Sequence, residues 1–128
     1  DELAELDGDI ARIVAEDIAD GIGLKVSKAG GLTRGRRHRD ICRAAGLTVS
    51  VQDTVGSAIA FAGIVHLGAT VPQRTLRCIL DCRDMVTLVT ADFDARVEQG
   101  GVLAPKAPGL GITVRRDVLG DPVARWAA

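Results

Sequence analysis

The stretch Asp20–Gly31, DGIGLKVSKAGG, decides how the rest of the chain is read. Alternation puts Ile22, Leu24 and Val26 on one face of a strand and Gly23, Lys25 and Ser27 on the other. Lysine is costly to bury and uncommon in strands. Here it ends an apolar strand that runs directly into Gly30 and Gly31, a turn signal. A lysine in that place needs a structural setting in which one face of the strand is packed and the other opens on a mouth.

The flanking residues supply that setting. Upstream, Ile10, Ile13, Val14 and Ile18 recur at helical spacing from about Asp9 to Ala19, with Asp7 or Asp9 as N-cap and Gly21 as the stop. Downstream, Thr33 caps a helix that runs to about Ala45 and ends at Gly46. A second strand, Leu47 to Gln52, sets Leu47, Val49 and Val51 against Thr48, Ser50 and Gln52. A third helix is predicted from about Val55 to Gly68. After Pro72 a third strand, TLRCIL, sets Leu76, Cys78 and Leu80 against Arg77, Ile79 and Asp81. Strands alternating with helices over short connections imply parallel pairing with right-handed crossovers.

Each strand has only one apolar face. A doubly wound open sheet, covered on both sides, would be more continuously apolar. A barrel wall fits better: its outside packs on helices, its inside holds mixed side chains, and function sits at the carboxyl ends. The expected fold is therefore α/β, the C-terminal portion of a (β/α)8 barrel. Residues 1–84 form a partial barrel. Residues 85–128, rich in Gly and Pro, form a C-terminal extension packing on the barrel or on a capping domain outside this sequence. The chain opens at Asp1 without methionine and reads as a piece of a longer one.

Composition narrows the function. The net charge is -1 and aromatics are 2% of 128 residues, with no tyrosine, so nucleic acid and anionic membranes are not expected partners. The basic run Arg34, Arg36, Arg37, His38, Arg39 and Arg43 lies on one helix and reads as a solvated face. Cys42, Cys78 and Cys82 have neither disulfide-framework nor zinc spacing. No signal peptide or long apolar run is present, so the expected location is the reducing cytoplasm. His66 reads as structural, and APGLGI lacks the strand-to-helix context of a phosphate loop.

Lys25, Asp53 and Asp81 stand at the three strand ends and would converge on one mouth. A lysine there can transfer protons, since burial and nearby cations lower its pKa. Carboxylates there can hold a metal or a cationic substrate, although Asp53 alone reads equally well as an N-cap. Lys28 would sit on the loop above and add positive potential.

Two segments, LKVSKAGGLTRGRR and AAGLTVSVQDTVGSAIAFAGIVHLGA, resemble the C-terminal barrel of the enolase superfamily, in its mandelate racemase/muconate lactonizing enzyme group. Within that group, KVSKAGGLTRGRRHRDICRAAG, VQDTVGSAIAFA and LRCILDCRDMV are similar to the branch that dehydrates cis-3-hydroxy-L-proline. The resemblance makes Lys25 the catalytic lysine of the LKxxKxGG motif. It makes Asp1, of the opening Asp-Glu pair, the Mg²⁺ ligand, with Glu2 less favoured. It further implies an amino-acid substrate whose cationic nitrogen would meet Asp53, or Asp81 as second choice, with Thr54 adding a hydrogen bond. The complete enzyme would be a homo-oligomer. The family also needs two more metal carboxylates, a second base and a capping domain, none of which lies in this sequence. This segment alone is therefore expected to be inactive. Alternatives are an amino-acid or proline-derivative racemase or epimerase of the same group, or a non-catalytic barrel segment.

Overall fold

The computed structural model describes residues 1–53, 56–93 and 97–126. Three strands, β1 (Gly21–Lys25), β2 (Thr48–Gln52) and β3 (Leu76–Ile79), form one parallel sheet in that order. Helices α1 (Asp7–Ala15), α2 (Val26–Ala29), α3 (Leu32–Ala44) and α4 (Ala58–Gly68) precede and separate them. Among the described residues, β1 and β3 are the free edges of this sheet.

β1 is shorter than expected. It ends on Lys25, and Val26 leaves the ladder to begin the one-turn helix α2. That turn closes with Gly30 N–H on the Ser27 carbonyl and Gly31 N–H on that of Val26. Gly30 and Gly31 take φ of 82° and 118°, values that residues with a Cβ rarely adopt, and so reverse the chain into α3. Gly31 itself occupies the N-cap position of α3, so Thr33 is not the cap.

The other helix ends also moved. α1 stops at Ala15 in a Schellman closure, with Ile18 N–H on the Ile13 carbonyl and Asp17 N–H on that of Val14. Asp17, at φ 51°, takes the left-handed position that a glycine usually fills. Gly21 therefore belongs to β1, and Val14 and Ile18 are exposed. At the start of α1 the N-cap is Leu6, whose N–H donates to Asp9 Oδ2 at 2.9 Å. α4 starts at Ala58, capped by Ser57, whose Oγ accepts the Ala60 N–H at 3.3 Å. Asp53 is therefore not its cap. Val55, the expected start of that helix, and Thr54 lie outside the described residues.

The apolar face of the sheet is built as the alternation predicts in β1 and β2. Ile22, Leu24, Val49 and Val51 are buried and pack with Ile10, Cys42, Phe61, Ile64 and Val65 in one core. β3 departs from it. Val49 pairs with Leu76 but Ser50 pairs with Cys78, so one extra residue is inserted into β3. Such a bulge flips the faces beyond it. Leu76 and Ile79 pack on the core, whereas Cys78 and Leu80 are exposed.

His38 is a second correction. It is 2% exposed, not part of a solvated face, and its Nε2 lies 2.9 Å from Asp7 Oδ1. Its neighbours Arg34, Arg36, Arg37 and Arg43 are exposed, so α3 is basic on the outside and anchored through one imidazole.

Beyond β3 a short 3-10 turn, Arg83–Met85, leads into two small antiparallel ribbons. β4 (Ala91–Asp92) pairs with β7 (Thr113–Val114), and β5 (Val97–Glu98) with β6 (Gly101–Val102). A four-residue helix, α5 (Arg116–Leu119), follows. Phe93, Val102 and Ala104 pack against the main core, and the Phe93 ring meets Phe61 edge-on at 5.7 Å. His66 Nε2 lies 3.0 Å from the Leu110 carbonyl oxygen, a structural tether as expected. No helix among the described residues is long and apolar enough to cross a membrane.

Candidate active site

The parallel register brings the strand ends to one edge. Lys25 pairs with Gln52 across β1 and β2, so both side chains stand on the face opposite the core. The inner face of β1 carries Gly21, Gly23 and then Lys25, so lysine is its one side chain beyond Cα. That of β2 carries Thr48, Ser50 and Gln52.

Lys25 does not point into bulk solvent. Its Nζ lies 2.5 Å from Asp1 Oδ2 and 3.3 Å from Glu2 Oε1. The Lys25 and Asp1 side chains are only 18% and 16% exposed. An exposed ion pair contributes roughly 0–1 kcal/mol; a sheltered pair loses hydration that offsets its attraction, but removing one partner leaves the other charge poorly solvated. Lys28, on α2, bridges Glu2 at 2.9 Å and Glu5 at 3.1 Å. The chain from Asp1 to Leu6 is thus clamped over the carboxyl end of β1 by two lysines. Lys28 does more than add potential: it shares the Glu2 Oε1 with Lys25, at 2.9 Å and 3.3 Å.

Asp53 lies one residue past β2 and Asp81 two past β3, at the same edge. Arg83 holds Asp81 in a fork, Nε at 2.9 Å from Oδ1 and Nη2 at 2.7 Å from Oδ2. The Arg83 hydrogen bonds keep the Asp81 carboxyl below the usual carboxylate range. The guanidinium in turn lies 4.0 Å over the Phe61 ring. Thr54 lies outside the described residues. Lys25 and Asp1 are therefore the two expected site residues that meet directly. Gln52, Glu2 and Lys28 join them, although neither Gln52 nor the Glu2–Lys28 contact stood out in the sequence. Gln52 was legible by alternation with Lys25, but the neighbouring charge of Asp53 drew attention away from it.

The oxygen donors at this edge suit a hard divalent cation. Asp1 and Glu2 bring the carboxylates nearest Lys25, and both are ion-paired: Asp1 with Lys25, Glu2 with Lys25 and Lys28. No cluster of three or more His, Cys, Asp or Glu fit to hold a metal occurs among the described residues. The fit is to one ligand of a larger set.

Parallel strands between helices, with a lysine and a carboxylate paired at the carboxyl edge, are the arrangement expected of a segment of a (β/α) barrel. Residues 1–118 match the family Enolase C-terminal domain-like, and the chain belongs to that family. Cis-3-hydroxy-L-proline dehydratase from Roseibium aggregatum is 38% identical over 127 residues, 99% of this chain and 35% of that protein. A crystal structure from Aspergillus oryzae, assigned to the mandelate racemase/muconate lactonizing enzymes, is 63% identical with a TM-score of 0.92. It matches 96% of this chain and 34% of its own. One from Roseovarius nubinhibens, in complex with magnesium, is 50% identical with a TM-score of 0.92, over 96% of this chain and 33% of its own. The chain thus spans about a third of the length of these relatives. Its three parallel strands are the C-terminal barrel portion that the alternation predicts.

Proposed function

We propose that this chain carries half of the active site of a Mg²⁺-dependent enzyme that removes the α-proton of an amino-acid carboxylate and expels a β-hydroxyl. Cis-3-hydroxy-L-proline is the substrate best supported, by the 38% identity to its dehydratase along nearly the whole chain. The observation that carries the reading is the sheltered Lys25–Asp1 pair, 2.5 Å apart at the carboxyl end of β1. It joins a proton-transfer group to a hard-metal ligand.

Asp1 is the residue of this chain that would hold Mg²⁺, together with carboxylates from outside this sequence. The cation, when bound, neutralises charge that builds on the substrate carboxylate as the α-proton leaves. With Asp1 engaged as a ligand, Lys25 would turn its ammonium toward the substrate. In cis-3-hydroxy-L-proline the 3-hydroxyl lies on the same ring face as the carboxylate, opposite the α-hydrogen. A base on one side therefore takes the α-proton while Lys25, on the other, protonates the departing hydroxyl as general acid. The C–H and C–O bonds break, water leaves, and the resulting enamine tautomerises to Δ1-pyrroline-2-carboxylate. Asp53 meets the substrate's cationic nitrogen. Asp81, held by Arg83, is second choice.

A racemase or epimerase would use the same Lys25 to return a proton to carbon. The substrate test separates the two. The full-length protein is incubated with cis-3-hydroxy-L-proline and, separately, with L-proline derivatives lacking the hydroxyl. Pyrroline-2-carboxylate from the first, with no inversion of the second, is the expected outcome. Inversion without water loss would favour the racemase.

A further inference from the structure

We propose that Gln52 is a positioning residue for Asp1: its carboxamide, lodged over Gly23 beside the Asp1 side chain, is placed to donate Nε2–H to the Asp1 carboxylate and to keep it facing the mouth once Lys25 is drawn away. The inference rests on the reading of Asp1 as a metal ligand and goes beyond it.

The space above Gly23 carries the argument. A Cβ built on Gly23 would collide with Gln52 Nε2 and come within 3.0 Å of Asp1 Cβ. The end of the Gln52 side chain and the Asp1 side chain therefore share the one volume that residue 23 leaves empty. Gly inside a strand commonly marks such a close approach. Gly21 repeats the device one step down, where a Cβ would collide with Thr48 Oγ1. The inner face of β1 is hollowed so that β2 can lean over it.

The chemistry suits that position. Lys25 Nζ reaches Asp1 Oδ2, and a carboxylate has about four acceptor sites, so capacity remains. A carboxamide offers N–H without adding charge. A second cation there would compete with a metal for Asp1; an apolar side chain would leave the carboxylate free to turn back onto Lys25. Metal-ligating carboxylates are commonly held by such outer hydrogen bonds, whose loss typically costs 10–100-fold in metal affinity.

The test is Mg²⁺ titration by calorimetry on the full-length protein without substrate, with metal-free melting as a control for folding. Gln52→Leu removes the donor from β2. Gly23→Ala puts a methyl into the space that the Gln52 and Asp1 side chains share, and so pushes them apart from β1. Asp1→Asn reports on the ligand itself. We expect both Gln52→Leu and Gly23→Ala to weaken Mg²⁺ binding by ~10-fold or more, with metal-free melting temperatures close to the parent. Parent-like affinity in Gln52→Leu, while Asp1→Asn loses Mg²⁺, would overturn the role of Gln52 and leave Asp1 as ligand. Parent-like affinity in Asp1→Asn as well would overturn the ligand assignment and this inference with it.

Discussion

Asp53 and Asp81 are both carboxylates just past a strand end. Arg83 grips Asp81 through both oxygens and is itself stacked on Phe61. Asp53→Asn in the full-length protein should weaken binding of the amino acid more than that of an uncharged ring carboxylate, because it removes charge and keeps shape. Equal losses for both ligands, measured by calorimetry, would return Asp53 to a structural role. Asp81 leads to a pH prediction instead. Its folded pKa is depressed below 3.8, so the stability it contributes is present above that value and lost as pH falls through the folded pKa. Asp81→Asn should therefore lower the melting temperature at pH 6, and lose that effect as the pH falls through the depressed folded pKa and the parent carboxyl is protonated too. Cys42 runs the other way. Burial pushes its thiol up to about 11, so it stays protonated and unreactive toward a thiol reagent at pH 8 while exposed Cys78 is labelled. Rapid labelling of Cys42 in the folded chain would contradict its place in the core.

At the scale of elements, the period-2 pattern of β1 and β2 and the existence of α1, α3 and α4 were legible, because burial on one face imposes those periods directly. What was not legible were the places where a local backbone event overrides the period. The bulge in β3 turns Ile79 inward and Leu80 outward, and nothing in TLRCIL announces the extra residue. The Schellman end of α1 uses Asp17 in place of a glycine, so the visible Gly21 misled. His38 was hidden by its arginine neighbours: four exposed cations on α3 conceal that position 38 faces inward, where Asp7 waits on α1. Asp7 also accepts Arg37 Nη1 at 3.0 Å, which lowers its pKa. Capping was legible only in type. Ser57 holds α4, and Ser57→Ala should cost about 1 kcal/mol of folding stability. That cost would be read as a shifted denaturant midpoint with an unchanged slope.

For the whole molecule, the site is legible as a half. Lys25 and Asp1 were both visible in sequence, and the fold brings them into contact, whereas Gln52 needed the register between β1 and β2 to emerge. On the proposed reading this chain supplies one metal carboxylate, Asp1, and Mg²⁺ keeps its waters unless several carboxylates or substrate oxygens replace them. The 128-residue chain alone should therefore bind Mg²⁺ no tighter than about millimolar. Micromolar affinity by calorimetry would mean that Asp1 is misassigned or that another site exists. The central claim is that Lys25 transfers a proton on the face of the substrate opposite the α-hydrogen. The most direct measurement follows Lys25→Ala in the full-length protein with cis-3-hydroxy-L-proline in D₂O, recording water loss by product absorbance and α-deuteration by NMR. The account predicts that turnover falls by roughly 10²–10⁴, the range for removing a general acid or base, while the α-hydrogen still exchanges through the other base. Near-normal turnover, or loss of exchange together with dehydration while the fold and Mg²⁺ binding are intact, would contradict it.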